Sequence, residues 1–575
     1  MKNLEIAKIF YLMAEFIQMD KASFISIAYN KAGRILESLE KDIEEIYNEG
    51  GIEELKKIPG IGEGIARKIK EYIKTGKIKR YQELKKKCPV DLEKLTSVEG
   101  LGAKRIKFLY KKLKIKNLKD LEKAAQAGKI GELDGFGEKS EKNILQSIEI
   151  AKSDKGRFLL GKILPMVRKI IDELKKLPET DKISIAGSVR RMKETVGDVD
   201  ILIISSKPEK IMDYFVKING VIKVWAKGAT KSSVRFKGGF DCDLRVVKKE
   251  SFGAALQYFT GSKEHNIMTR RIAIKNKLKL NEYGVYKKDK QIAGKNEKEV
   301  YKSIGLQYIE PELRTNTREI EASLKNKLPK LIGYNSIKGE THCHSDWSDG
   351  SETIENLAKI AKGIGYEYLV ITDHASPLGI IHGLNEERLL KQMNEIDKIN
   401  KRISGIKILK GIEVDIKADG SLFIEDNVLS QLDFVLGAIH SGFKMDKKDM
   451  TMRLIRAIKN PQIDAIAHPF GRIIQKREGY QMDFPEILKV AKETKTALEI
   501  NAHESRLDLR DAHIRQAVDA GVKMTIGTDV HNVNYFKMME LGIAQARRGW
   551  AEKKDILNTL SVDDFLEYFK KNGQA

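Results

Sequence analysis

Cysteine is scarce in this chain of 575 residues: Cys88, Cys242 and Cys343 are far apart and odd in number. That excludes a disulfide framework and points to a reducing, cytoplasmic compartment. No apolar run is long enough to span a bilayer, although 41% of the residues are hydrophobic, so a soluble protein without a membrane partner is expected. The first residues, Met1-Lys-Asn-Leu-Glu-Ile-Ala-Lys8, carry charges inside their first apolar turn and lack the apolar segment of a signal peptide. The length exceeds one core and predicts three to five domains.

Acidic residues are in deficit, but only in one part. Residues 336–575 hold 34 Lys and Arg against 36 Asp and Glu, which leaves 71 against 46 in residues 1–335 and places all of the +23 excess there. A polyanion, nucleic acid above all, is the natural partner of that first part. A lysine-rich solvated surface is the bland alternative.

Histidine is also scarce, ten in all, yet nine fall between residues 342 and 531. His342 and His344 stand at i and i+2, on one face of a strand. Others follow apolar runs beside small or acidic residues: Thr372-Asp373-His374, Gly437-Ala438-Ile439-His440, Ala467-His468-Pro469 and Gly527-Thr528-Asp529-Val530-His531. Imidazole with carboxylate is a ligand set for zinc, manganese or iron, so a multi-metal hydrolytic centre is expected. Short apolar strands such as Tyr368-Leu-Val-Ile-Thr372, Asp433-Phe-Val-Leu-Gly437 and Ala497-Leu-Glu-Ile-Asn501 alternate with helical segments. That predicts a parallel β/α barrel with the ligands at the C-terminal ends of its strands.

Residues 1–150 read as helical, with a repeat: Ile58-Pro-Gly60-Ile-Gly62, Val98-Glu-Gly100-Leu-Gly102 and Leu133-Asp-Gly135-Phe-Gly137. Each precedes a helix bearing base, namely Arg67 and Lys68, Lys104 and Arg105, and Lys139 and Lys142. Paired glycines allow a tight turn, and the N–H groups of the helix that follows face outward for a phosphate. This is the helix-hairpin-helix signature, which grips nucleic-acid backbones without reading sequence.

In residues 151–315, Ile183-Ser-Ile-Ala-Gly187-Ser188 reads as a strand ending in a Gly-Ser turn, and Asp198-Val-Asp200-Ile-Leu-Ile-Ile204 as a second strand. Asp198 and Asp200 share a face by the period of two, which is costly unless a divalent cation neutralises them. Asp241-Cys-Asp243 supplies a third strand, and parity does not choose between its two aspartates. Three carboxylates around two Mg2+ ions, beside a turn donating N–H groups to phosphate, make a nucleotidyl-transfer site.

Gly187-Ser-Val-Arg-Arg-Met-Lys-Glu-Thr-Val-Gly-Asp-Val-Asp200 resembles the palm motif of family X DNA polymerases, the DNA polymerase beta group. Tyr258-Phe-Thr-Gly-Ser262, Asn266, Arg270 and Asn281-Glu-Tyr283 continue the match through the thumb or fingers. The resemblance implies that Asp198, Asp200 and Asp243 hold Mg2+ or Mn2+, with Asp243 helping to deprotonate the primer 3′-hydroxyl. It implies that Gly187, Ser188, Arg191 and Gly197 bind the triphosphate, that Tyr258, Phe259 and Gly261 line its sugar, and that Asn266 and Arg270 lie near the nascent pair. Residues 58–68 are similar to the deoxyribose-phosphate lyase segment of that group, with Lys68 at the Schiff-base position. Gly64, Phe24 and Ile25 depart from its basic pattern.

Residues 316–335 are polar and read as a linker. Beyond them, the ligand pattern resembles the PHP domain (polymerase and histidinol phosphatase), a distorted seven-stranded β/α barrel with a trinuclear centre. That pattern falls on His342, His344, Asp349, His374, Glu413, His440, His468, Asp529 and His531, with Glu413 bridging, and Mn2+, Zn2+ or Fe2+ all suit it. His382, His503 and His513 lie outside the pattern; Arg472, Lys476 and Arg477 are candidates for anion contact at the barrel mouth.

The implied protein is a monomeric, prokaryotic, nucleoid-associated repair polymerase. It fills short gaps in primer-template DNA from deoxynucleoside triphosphates. Its PHP domain acts as a Mn2+-dependent 3′–5′ exonuclease, with cleavage of abasic sites and removal of 3′-phosphates as related activities. The rivals are a phosphoesterase of small metabolites, such as histidinol phosphate, fused to a DNA anchor, and a non-catalytic DNA end-binding module.

Overall fold

A computed structural model describes residues 2–19, 24–39, 42–58, 60–96, 98, 101–137, 140–141, 144–145, 156–376 and 382–570. The chain divides into two compact units, Met1–Gly156 and Arg157–Ala575. The boundary expected at residue 150 falls outside the described residues.

The first unit is helical. α1 (Lys2–Gln18), α2 (Phe24–Ser38), α3 (Ile43–Lys56), α4 (Glu63–Thr75) and α5 (Lys79–Lys87) are followed by α6 (Leu92–Thr96), α7 (Ala103–Leu113) and α8 (Leu118–Gln126). Apolar residues at helical spacing, such as Ile6, Phe10 and Met13 of α1 and Ala66 and Ile69 of α4, meet in one core. At the first hairpin Gly60 is left-handed, φ 93°, where a Cβ would strike Ile35, and Gly62 caps α4. Buried Ile61 anchors the turn between them. Gly102 caps α7 beside buried Leu101, whereas Gly100 lies outside the described residues. Gly135 is left-handed, and the space around Gly137 is open; Lys139 and Lys142, in the helix expected next, lie outside the described residues. Neither α4 nor α7 has a side-chain N-cap, so their first N–H groups are available to a phosphate.

In the second unit, five strands lie in the order β2 (Lys182–Ile185), β4 (Asp198–Ile204), β7 (Asp241–Val247), β6 (Lys231–Phe236), β5 (Val221–Lys227). Val199, Ile201 and Ile203 of β4 join the core that includes Val167 and Ile171 of the helix Leu160–Lys175. The alternation then gives Asp198 and Asp200 the opposite face. β1 (Phe158–Leu159) pairs with β3 (Thr195–Val196), and β8 (Lys279–Asn281), β9 (Gly284–Lys287) and β10 (Lys290–Ala293) form an antiparallel sheet.

The segment expected as a polar linker, 316–335, is largely exposed, with a short packed stretch inside it. Glu319–Leu324 is helical, and Glu319, Ile320 and Ile332 are buried. Its one buried charge is paired, Glu319 meeting His265 at 2.7 Å, and just upstream Arg314 meets Glu297 at 2.6 Å.

Seven parallel strands then form a nearly closed barrel: β11 (Gly339–Glu340), β12 (Tyr368–Ile371), β14 (Lys407–Asp415), β15 (Phe434–Ala438), β16 (Ala465–Ile466), β17 (Ala497–Asn501) and β18 (Met524–Gly527). β13 (His374–Ala375) pairs with β14 off this path. An isolated parallel bridge between Cys343 and Val530 joins the segments just beyond the first and last strands. Leu369 and Ile371 pack with the outer helices, whereas Tyr368 and Val370 pack with Phe565 of the C-terminal helix Val562–Phe569. That helix meets the strands where β12 begins, at the end opposite the histidines.

Candidate active centres

The first centre forms where β4 and β7 run in parallel, with Asp200 directly beside Asp243 and Asp198 beside Asp241. Gly187 follows β2 with φ 62°, and a Cβ on it would lie 2.6 Å from Asp200 Oδ2. Only glycine lets the turn approach this carboxylate. Ser188 Oγ is buried and unpartnered. Burial, then the carboxylates of Asp198 and Asp243, push Asp200 up to about 7. Asp243 is reached by Ser233 Oγ at 2.5 Å and Lys231 Nζ at 2.9 Å. Asp241 is engaged elsewhere, by Trp225 Nε1 at 2.7 Å and by both Arg235 Nε and Nη2 at 2.8 and 2.9 Å.

Arg191 donates to the Thr260 carbonyl beside Gly261, and burial, with Arg548 nearby, lowers its guanidinium to about 10. Arg270 lies over the Tyr258 ring at 5.3 Å, Asn266 Nδ2 donates to the Tyr258 carbonyl at 2.6 Å, and Arg245 lies over Phe259 at 4.5 Å. Gly197 is the single residue between β3 and β4, next to Asp198.

The second centre lies at the C-terminal ends of the barrel strands. Glu413, 1% exposed, is at its middle. Its Oε1 lies 3.0 Å from His468 Nε2, 3.4 Å from His440 Nε2 and 3.5 Å from His342 Nε2; its Oε2 lies 2.7 Å from His374 Nδ1 and 3.7 Å from His344 Nε2. Burial alone would raise this carboxyl, but the imidazoles of His374, His440 and His342 hold it well below the carboxylate range. Among the described residues three groups bring their ligand atoms within 4.8 Å of one another: His344, Asp349, His374 and His531; His342, His344 and Asp529; and His374, Glu413 and His440.

The donor set fits divalent cations. His342 Nε2 and both His344 nitrogens are buried without a hydrogen-bond partner, a costly state for polar atoms that a metal ion relieves. The outer nitrogens are already oriented: His342 Nδ1 meets Glu499 Oε1 at 2.6 Å, and His440 Nδ1 meets Asp415 Oδ1 at 2.6 Å. Carboxylates behind ligating imidazoles fix the tautomer and turn the other nitrogen inward.

Family models match this chain over much of its length: a helix-hairpin-helix domain at residues 1–78, a SAM-like helix-hairpin-helix tandem at 92–149, the DNA polymerase beta thumb at 255–315 and the PHP domain at 340–503. The chain is 38% identical over 549 residues, 95% of each protein, to the "DNA polymerase/3'-5' exonuclease PolX" of Bacillus subtilis (strain 168). It belongs to the family X DNA polymerases that carry a PHP domain. Shorter relatives include a probable phosphatase of Thermoanaerobacter sp. (strain X514), 29% identical over 40% of this chain and 94% of that protein. A probable phosphatase of Caldicellulosiruptor saccharolyticus is 28% identical over 41% and 98%.

Within this family X chain, several residues around the centres escaped the sequence reading. Glu499, Asp415 and Arg506, whose Nε is 3.5 Å from Asp529 Oδ2, surround the imidazole cluster. For Glu499 and Asp415 the one signal was a carboxylate within an otherwise apolar strand; Arg506, five residues past β17, carried none. Arg472 turns away from its expected anion-binding place and pairs with Glu194 at 2.6 Å. Arg477 lies over the Phe443 ring at 4.0 Å. His513 stacks on Phe470 at 3.9 Å, His503 meets Ser505 at 2.9 Å, and His382 is exposed.

In the helical unit, Lys68 Nζ donates to the Gly64 carbonyl at 3.0 Å, lies 5.8 Å from the Tyr29 ring centre, and has its pKa lowered by burial. It lines a groove of about 550 Å³ with Ile17, Ile25, Arg67, Lys79 and Arg80. No described helix is long and apolar enough to cross a membrane.

Proposed function

We propose that this chain extends primer 3′-hydroxyls across short gaps in DNA at the Asp198, Asp200 and Asp243 centre, and shortens 3′ ends at the PHP centre. The observation that carries the first activity is the pairing of Asp200 with Asp243 beneath the Gly187-Ser188 turn. Three carboxylates so close, one of them raised to about 7, favour divalent cations, here Mg2+ or Mn2+. When bound, such ions supply positive charge against the charge that develops on the phosphate oxygens. Arg191 and the N–H groups of the turn hold the triphosphate, Tyr258 and Phe259 form a platform for its sugar, and Asp243 accepts the proton of the primer hydroxyl. Asn266 and Arg270 stand beside the nascent pair.

At the PHP centre His342, His344, Asp349, His374, Glu413, His440, His468, Asp529 and His531 would hold three divalent ions, with Glu413 shared among them. Manganese is the expected occupant, and a 3′–5′ exonuclease the expected activity, with abasic-site cleavage or 3′-phosphate removal at the same site. The glycine-led turns around Gly60, Gly62, Gly102, Gly135 and Gly137 grip backbone phosphates of gapped DNA. We assign residues 1–150 to DNA binding, 151–315 to nucleotide addition and 336–575 to phosphoester hydrolysis, in a cytoplasmic monomer.

A labelled primer on a one-nucleotide gap tests both assignments. Asp198→Ala/Asp200→Ala should lose extension only, and His342→Ala/His344→Ala shortening only. The probable phosphatases among the relatives keep a second reading open, hydrolysis of small phosphomonoesters. Turnover of these by a barrel inert on DNA ends would favour it.

The half-buried Lys68 supports a further assignment, Schiff-base attack on 5′-deoxyribose-phosphate, since desolvation keeps part of a lysine neutral and nucleophilic. Borohydride should trap wild type on such DNA but not Lys68→Ala.

A further inference from the structure

Two guanidinium groups of the barrel reach the loop that builds the polymerase centre. Arg548, 5% exposed at its side chain, ends the helix Met539–Arg548. Its Nη1 donates to the backbone carbonyl of Arg191 at 2.9 Å and its Nη2 to Asp511 Oδ2 at 2.5 Å. Arg472, four residues beyond His468, donates from Nη2 to Glu194 Oε2 at 2.6 Å and to the Leu507 carbonyl at 2.7 Å. Gln475 adds a relayed contact: it donates to the Arg157 carbonyl at 2.7 Å, and Arg157 Nε donates to Thr195 Oγ1 at 2.8 Å.

The loop so held is short and strained. Residues 191–197 join the turn that begins at Gly187 to the strand that carries Asp198 and Asp200. Met192 within it has φ 50°, a conformation that side-chain-bearing residues adopt only when their surroundings impose it. The peptide of Arg191 sets the direction of its side chain, which ends beside Gly261. A guanidinium fixed on the carbonyl of that peptide therefore fixes where the Arg191 guanidinium can sit. The ion pair at Glu194 does the same four residues ahead of Asp198. Leu507, Leu541 and Ala544 of the barrel pack into the palm core and make the contact rigid.

We infer that Arg548 and Arg472 are positioning residues for nucleotide addition, so that the barrel forms the outer wall of the polymerase's triphosphate site. The inference rests on reading residues 187–200 as the nucleotidyl-transfer centre. A displacement of about 1 Å at a reacting group can cost on the order of a hundredfold in rate, so contacts remote from the chemistry can matter this much.

The test is steady-state filling of a one-nucleotide gap by the full chain, with 3′ shortening measured on the same preparations. Arg548→Ala should raise KM for the incoming nucleotide about tenfold, the effect of losing a charged hydrogen bond. Arg548→Lys should recover part of it, and shortening should proceed at the wild-type rate in both. Glu194→Gln should raise the same KM, and the exchange Arg472→Glu/Glu194→Arg should restore it more than either single change. Unchanged KM and kcat in Arg548→Ala, or a parallel fall of both activities with the melting midpoint, would overturn the inference. Should Arg548→Ala not fold, the part-exposed Glu194 pair decides by the same criteria. A wild-type chain that extends no primer would instead remove the reading of the site itself, and with it this inference.

Discussion

Replacing Glu499 by glutamine exchanges one acceptor oxygen for an NH2 group behind His342, an imidazole of the candidate metal centre. Glu499 is 1% exposed; its Oε1 meets His342 Nδ1 at 2.6 Å, while its Oε2 accepts from the His468 backbone N–H at 2.7 Å and from Asn501 Nδ2 at 3.2 Å. An amide has one acceptor oxygen and presents an NH2 group at the other position, so at least one of these donors loses its partner. Leaving a buried donor unpaired costs about 1–3 kcal/mol, and orienting partners of ligating imidazoles are worth roughly 10–100-fold in metal affinity or activity. The two scales agree, since about 1.4 kcal/mol is tenfold. Glu499→Gln should therefore raise the Mn2+ concentration for half-maximal 3′ shortening about 10–100-fold. Gap filling in Mg2+ should be unaffected. The assay is a Mn2+ titration of labelled-primer shortening, with extension measured in parallel. An unchanged Mn2+ midpoint, or equal loss of both activities, would refute the reasoning.

Gly187→Ala should reduce extension on the order of a hundredfold, because the new Cβ would lie 2.6 Å from Asp200 Oδ2 and must displace it; near-normal extension would show that the turn need not approach the carboxylate. Asp200→Asn should abolish extension yet raise the melting midpoint in chelator at pH 8. Folding raises this carboxyl from 3.8 to about 7, so the ionised form is destabilising above that pH, and a lower midpoint would contradict the account. Glu297 carries the opposite sign. It pairs with Arg314 and Arg190 at 2.6 Å each, and, against its own burial, these guanidiniums hold it at about 2 instead of 4.5. Its contribution, on the order of 3 kcal/mol, is present above pH 4.5 and is lost as pH falls toward 2. Glu297→Gln should lower the neutral-pH midpoint and flatten that acid limb; a wild-type acid profile in the variant would refute the assignment.

The centres were legible because their chemistry needs rare residue types at fixed places. Imidazoles closing apolar strands, and aspartates two apart on one strand, have few other uses. What supports them was not legible. Glu499 and Asp415 look like any carboxylate until the barrel closes and puts them behind His342 and His440. The direction of Arg472 depends on a loop that folds back toward Glu194, which local spacing does not encode. Polarity does not mark the one buried charge of 316–335: Glu319 is buried because His265 partners it, as Arg314 just upstream is because Glu297 does. Parity left Asp241 and Asp243 equivalent; in the fold Asp243 stands level with Asp200 and meets Ser233 and Lys231, while Asp241 stands level with Asp198 and meets Arg235 and Trp225.

Two separate metal centres on one chain should do opposing jobs at a primer end. The most direct measurement follows a labelled primer on a one-nucleotide gap in Mn2+, with and without nucleotides, for wild type, Asp198→Ala/Asp200→Ala and His342→Ala/His344→Ala. The aspartate variant should shorten but not extend, and the histidine variant should extend but not shorten. Shortening that persists in the histidine variant would contradict this separation.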